Sequence, residues 1–148
     1  MKKILVADRE EILCFLYQEE LTEEGYDVAI ITRPEDLAKS IGQEKPDLLL
    51  IDMSMDDQGL WRYLQRMQNT GRRLPLILCT SYADSSRFPK ALVDDTVMKS
   101  SNLDELKLKI RKILGNLDDH DLISSDTGLI EIKEVGQAEE QMRLSFQE

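Results

Sequence analysis

Short apolar runs alternate along this chain with longer stretches in which apolar positions recur at helical spacing. The run Lys3–Ala7 (KILVA) is brief, apolar and closed by charge, the pattern of a strand buried on both faces. From Glu10 to about Glu24, Ile12, Leu13, Leu16, Tyr17 and Leu21 predict the inner face of a helix, and Gly25 stands where it stops. Asp27–Ile31 (DVAII) predicts a second strand. Thr32 as N-cap, Pro34 in the first turn, and Leu37, Ala38 and Ile41 as an inner face predict the next helix, with Gly42 and Pro46 as punctuation. Asp47–Asp52 (DLLLID) is the clearest buried strand. A helix from about Leu60 to Gln68 follows, with Trp61, Leu64 and Met67 inward and Gly71 after it. Leu76–Cys79 (LILC) makes a fourth strand behind Pro75. The stretch 84–95 is at best a weak helix, with Pro89 in it and few apolar residues. Thr96–Met98 predicts a short fifth strand. Ser101 or Asn102 caps a last helix carrying Leu103, Leu106, Ile110, Ile113 and Leu114, closed by Gly115.

Strands alternating with helices in this way predict an α/β fold, a doubly wound five-stranded parallel sheet with right-handed crossovers and helices on both faces. In such sheets a ligand site lies at the carboxyl ends of the strands, where strand order reverses. The domain so predicted spans 1–116. Residues 117–148 change character: a polar, acidic linker, an alternating run Gly128–Val135 (GLIEIKEV) and a charged end. They read as an acidic C-terminal extension that is partly a mobile tail, with packing on the main domain or docking on a partner as the alternative.

Composition narrows the function. With 148 residues, 41% hydrophobic and 32% charged, the chain matches a soluble domain large enough to bury a core. Its net charge of −10 argues against a nucleic-acid face, which needs clustered Lys and Arg. The one basic cluster, Lys107, Lys109, Arg111 and Lys112, reads as the solvated face of the last helix. Cys14 and Cys79 fall in apolar stretches and read as small core residues. No apolar run is long enough for a membrane span or signal peptide, so a cytoplasmic, reducing location is expected.

The strand ends carry the chemistry. Asp8 follows the first strand, Asp52 ends the third, Thr80 and Ser81 follow the fourth, and Lys99 follows the fifth. Polar residues are ordinary at strand ends, and any one of these alone would mean little. Together they place two carboxylates, a hydroxyl and an ammonium at one edge of the sheet. Two close carboxylates repel unless a cation lies between them, and Mg2+, which prefers carboxylate and water oxygens, suits that role. A carboxylate can also attack phosphorus, with nearby positive charge neutralising the transferring oxygens.

The stretches KILVADRE at 3–10, PDLLLIDMSM at 46–55, Gly59-Leu60, LPLILCTSY at 74–82 and VMKSSNLDEL at 97–106 resemble the receiver domains of bacterial response regulators. The resemblance covers residues 2 to about 115 and implies the flavodoxin-like (βα)5 receiver fold of two-component signalling. It also implies Asp52 as phospho-acceptor, Thr80 as switch hydroxyl and Lys99 as the phosphoryl-contacting lysine. Asp8, Asp52 and the backbone carbonyl of Ser54 would hold Mg2+. The implied partners are a histidine kinase or phosphotransfer protein and a downstream output protein, with no nucleic acid, no membrane and a homodimer as a further option.

Several positions depart from the family pattern. Arg9 stands where the second acidic residue usually lies. A cation about 4 Å from the ion would oppose it by about 4 kcal/mol at a surface-like dielectric. Arg9 is therefore expected either to turn to solvent or to pair with Asp52, and Glu10 to point away from the pocket. Asp56-Asp57 replaces the loop proline, Ser81 an alanine, Thr96 the aromatic switch residue and Ser100 the proline after the lysine. The segment between Thr80 and Lys99 is also short. The leading expectation is a stand-alone receiver phosphorylated on Asp52, not an enzyme beyond self-phosphorylation and self-dephosphorylation. The alternative is a degenerate receiver, a phosphorylation-independent protein-binding module. A small hydrolase fits poorly, because Asp8-Arg9-Glu10 only superficially resembles an Asp-x-Asp phosphatase start and no cap region follows. A nucleotide-binding protein fits poorly because Arg9-Glu10-Glu11 stands where a phosphate-binding loop would be.

Overall fold

The computed structural model of the chain describes residues 1–81, 88–99 and 103–115. Residues 1–110 form one compact unit, and of the second, 111–148, the described part is the end of one helix and Gly115. The elements run β1 (Lys3–Ala7), α1 (Glu11–Glu23), β2 (Asp27–Ile31), α2 (Leu37–Glu44), β3 (Leu48–Asp52) and α3 (Gln58–Asn69). They continue with β4 (Leu76–Thr80), β5 (Asp95–Met98) and α4 (Asp104–Leu114). The five strands pair in the order β2-β1-β3-β4-β5, and every pairing is parallel. Strand order reverses at β1, so the crevice between β1 and β3 is the switch point of the sheet.

Strand residues alternate between two cores. Leu5, Ala7, Leu49, Ile51, Leu76 and Leu78 pack with Leu37 and Ile41 of α2 and Leu60, Trp61 and Leu64 of α3. Their neighbours Ile4, Val6, Leu48, Leu50, Ile77 and Cys79 are equally buried and face the other way, as the period of two requires. This double burial is why β1, β3 and β4 read as unbroken apolar runs. Cys14, Tyr17 and Leu21 of α1 and Leu106 and Ile110 of α4 supply further buried apolar side chains.

The structure corrects the expected inner face of α1. Cys14, Tyr17 and Leu21 are buried, whereas Ile12 is 86% exposed and Leu16 42%. Two residues along a helix amount to about 200° of rotation, so Ile12 and Leu16 share the side opposite Cys14. Entry into α2 also differs: Arg33, not Thr32, precedes a 3-10 turn over Pro34–Asp36 that leads into the helix. Gly42 lies inside α2 rather than ending it. The helix closes at Lys45, whose φ of 49° puts a β-carbon in the left-handed region while its N–H donates to the Ile41 carbonyl at 3.0 Å. Lys45→Gly is expected to raise the unfolding free energy by about 0.5 kcal/mol, relief of the left-handed strain exceeding the added chain entropy. Urea unfolding at unchanged m value checks this, and a loss of stability would show that the lysine side chain makes up the difference.

Between β4 and β5 the described residues hold a 3-10 turn over Lys90–Leu92, with Phe88 and Leu92 buried. The rest of the weak helix expected over 84–95 lies partly outside the described residues, as do Ser100, the caps Ser101 and Asn102, and the extension 117–148. Two lysines of α4 are ion-paired: Lys107 meets Glu20 at 2.8 Å, and Lys109 meets Asp95 at 3.2 Å and Glu105 at 3.3 Å.

Candidate functional site

At the carboxyl edge of the sheet, β1, β3 and β5 bring three residues singled out in the sequence into direct contact. The Lys99 ammonium lies 3.0 Å from Asp52 Oδ1 and 3.2 Å from Asp8 Oδ2. Asp8 and Asp52 are 2% and 7% exposed, and the β-sheet fixes both: the Asp8 N–H donates to the Ile31 carbonyl, and Asp52 sits in register with Cys79. Thr80, at the end of β4, is also buried, and its backbone carbonyl accepts the Lys99 N–H at 2.7 Å. Each carboxylate is oriented by the chain that follows it. Asp8 Oδ1 accepts the Glu10 N–H at 2.9 Å, and Asp52 Oδ2 accepts the Ser54 N–H at 2.8 Å. This arrangement leaves Asp52 Oδ1 and Asp8 Oδ2 as the oxygens turned toward the lysine.

Two neighbours of Asp8 take positions that the residue pattern did not anticipate. Arg9 does not pair with Asp52; it is exposed, and its Nε donates to the Ser54 backbone carbonyl at 2.8 Å. Glu10, expected to point elsewhere, reaches back so that Lys99 Nζ donates to its Oε1 at 3.1 Å. The backbone N–H of Glu10 folds onto Asp8 in a tight turn, which brings its own side chain back toward the pocket.

Charge and burial oppose each other here. Asp8 binds its proton more tightly than an ordinary carboxyl, chiefly because it is buried, with the Asp52 charge adding to the effect and Lys99 opposing it. For Lys99, burial pulls the pKa down. Hydrogen bonds to Asp52, Glu10 and Asp8 outweigh it and raise the lysine well above its usual value. The ammonium is therefore fully charged at neutral pH. Beside the site, burial and the carboxylates push the thiols of Cys14 and Cys79 up to about 11 and about 12.

The residues present do not fit a divalent ion in this arrangement. Asp8 Oδ2 is buried and turned toward the place a cation would take, and the ammonium of Lys99 already fills that place at 3.2 Å. The Ser54 carbonyl, a third oxygen such an ion would use, is held by Arg9. Among the described residues no group of three or more His, Cys, Asp or Glu is placed to hold a metal.

Comparison with known proteins agrees with this architecture. The family model described as the response regulator receiver domain matches residues 4–111. The chain is 30% identical over 118 residues to the alkaline phosphatase synthesis transcriptional regulatory protein PhoP of Bacillus subtilis, covering 76% of this chain and 48% of that protein. It is also 30% identical over 120 residues to the phosphate regulon transcriptional regulatory protein PhoB of Rhizobium meliloti, covering 77% and 52%. The chain thus spans about half the length of these curated relatives. Among solved structures, the response regulator TrrA of Thermotoga maritima, in complex with Mg2+ and BeF, is 32% identical with a TM-score of 0.66, over 76% of this chain and 99% of that one. A CheY-like receiver domain protein from Methanospirillum hungatei gives 25% and 0.67, over 78% and 95%. The ordered strand ends, the β2-β1-β3-β4-β5 sheet and a family match over most of the chain converge: this protein belongs to the response regulator receiver domain family.

Proposed function

We propose that the chain accepts a phosphoryl group on Asp52 and thereby changes the surface it offers to a protein partner. The observation that carries this reading is the Lys99 ammonium 3.0 Å from Asp52 Oδ1. The Ser54 N–H holds the other oxygen, so Oδ1 is the nucleophile. As the bond from Oδ1 to phosphorus forms, the bond from phosphorus to the donor breaks and the leaving group keeps its electron pair. Lys99 neutralises charge on the transferring oxygens, the main contribution a protein makes to this chemistry. The Thr80 hydroxyl would hydrogen-bond the new group. Because the Thr80 carbonyl is tied to the Lys99 N–H, an inward shift of Thr80 is passed to the end of β5.

A protein donor and a protein reader fit the surface. Ile12, Phe15 and Leu16 form an exposed apolar stripe on α1 that begins two residues after Glu10, beside the pocket. A histidine kinase or phosphotransfer protein is the donor in this reading, and an output protein responds. The buried, unpaired thiols support a reducing, cytoplasmic setting, and no enzymatic activity is assigned beyond the domain's own phosphorylation and dephosphorylation. Receiver domains generally bind Mg2+, and the Thermotoga neighbour is complexed with it. A second reading, a receiver that binds partners without being phosphorylated, is favoured by one observation, the Arg9 bond to the Ser54 carbonyl.

Incubation with acetyl phosphate and Mg2+, followed by intact mass measurement, separates the two. Wild type is expected to gain one phosphoryl group and Asp52→Asn none. No gain on wild type, under conditions that label an ordinary receiver, would leave the second reading standing.

A further inference from the structure

We infer that Arg9 is a built-in cation that takes the divalent ion's place, so that Asp52 receives its phosphoryl group without metal. This rests on Asp52 being the acceptor.

Three observations converge on Arg9. Its Nε holds the Ser54 carbonyl at 2.8 Å, removing a neutral oxygen that a divalent ion would need. It directly follows Asp8, so a fixed positive charge stands at the mouth of the pocket, where a further carboxylate would be needed to hold an ion. The side chain is exposed, and beyond the Nε bond its guanidinium meets only the long-range attraction of the exposed Glu35 carboxylate among the described residues. A guanidinium anchored through Nε still presents its terminal amino groups as a fork suited to two oxygens of a phosphoryl group.

The charges of the pocket support the same conclusion. Asp8, Glu10 and Asp52 face Lys99, and Arg9 closes the rim. A divalent ion on Asp8 and Asp52 would be repelled by both resident cations. A phosphoryl group would be attracted by both, displacing Glu10 from Lys99. Glu10 is 68% exposed at its side chain and can swing to solvent at little cost. With acetyl phosphate as donor the step balances without a co-reactant. The bond between phosphorus and the acetate oxygen breaks, acetate leaves with the electron pair, and the acyl phosphate forms on Asp52.

The test has two arms, both on the full chain in wild type and Arg9→Asp. The first follows labelling by acetyl phosphate, by intact mass, with Mg2+ or with a chelator. The second titrates Mn2+ and follows loss of its free-ion paramagnetic signal. Wild type is expected to label equally in both buffers and to leave Mn2+ free. Arg9→Asp is expected to take up Mn2+ and to label about tenfold more slowly under chelation. The inference is overturned if the chelator stops labelling of wild type, if wild type takes up Mn2+ as well as the variant does, or if neither takes it up. Absence of labelling in every condition overturns the acceptor reading and metal-free transfer with it. The Mn2+ arm still judges Arg9 in that case: silence in wild type with uptake in Arg9→Asp upholds it as the excluding cation.

Discussion

Lys99→Met is expected to lower the unfolding free energy by about 3 kcal/mol and to leave Asp52 unlabelled by acetyl phosphate. The ammonium is the counter-charge shared by Asp8, Asp52 and Glu10, and its removal strands two buried carboxylates side by side. Breaking a buried pair costs about 3–5 kcal/mol, and access of water from the Glu10 side puts this case at the lower end. The loss has a pH signature. The raised pKa of Lys99 means that its stabilisation is complete below the unfolded value of 10.5 and is lost only as pH rises through the folded one. Neutral pH therefore shows the full effect of the substitution. Asp8 works in the other direction. A carboxyl with a raised folded pKa favours the folded state at acid pH, and that contribution is lost as pH rises through the folded value. In Lys99→Met the deficit should thus shrink as pH falls toward the carboxylate range, and adding Asp8→Asn should recover much of it at neutral pH. Urea unfolding of the three proteins checks both points. A deficit that is independent of pH and unmoved by Asp8→Asn would place the lysine's role in packing instead.

Trp61→Ala is expected to cost about 3 kcal/mol, and Trp61→Phe about 1 kcal/mol. The ring is 9% exposed and meets Phe88 edge to face, with centroids 4.4 Å apart, while its Nε1 donates to Asp56 Oδ1 at 2.7 Å. Phenylalanine keeps most of the apolar contact and loses the hydrogen bond; alanine loses both. Because Trp61 is the single tryptophan of the chain, circular dichroism must report the unfolding. Equal losses in the two variants would show that the bond to Asp56, and not burial against Phe88, is what matters. The contact also ties the segment before β5 to α3, because Phe88 belongs to the same buried cluster as Leu60, Trp61 and Leu64.

The sheet was legible because β1, β3 and β4 are buried on both faces, and continuous apolar runs such as LLLI and LILC have few other uses. Helix faces were less legible. In α1 seven of the thirteen residues from Glu11 to Glu23 are apolar, more than one face needs, so those on the wrong side, Ile12, Phe15 and Leu16, could not be told from core by spacing alone. At the site, Asp8, Asp52 and Lys99 could be placed because each directly ends or follows a strand, where backbone position dictates side-chain position. Arg9 and Glu10 lie one and two residues further on, where a turn and long rotatable side chains decide. The bond from Arg9 to the Ser54 carbonyl links residues 45 positions apart, and local pattern carries no trace of it.

The two cysteines make the pocket its own clock. Cys14 Sγ donates to the Asp8 carbonyl at 3.3 Å, Cys79 pairs in register with Asp52, and both are buried. With thiol pKa values near 11 and 12, almost no thiolate exists at neutral pH in the closed state. Alkylation then proceeds through openings of the strand ends, and its rate counts those openings directly. A phosphoryl group or a bound partner that tightens β1, β3 and β4 would slow the chemistry at both sulfurs, without any label having been added to the protein.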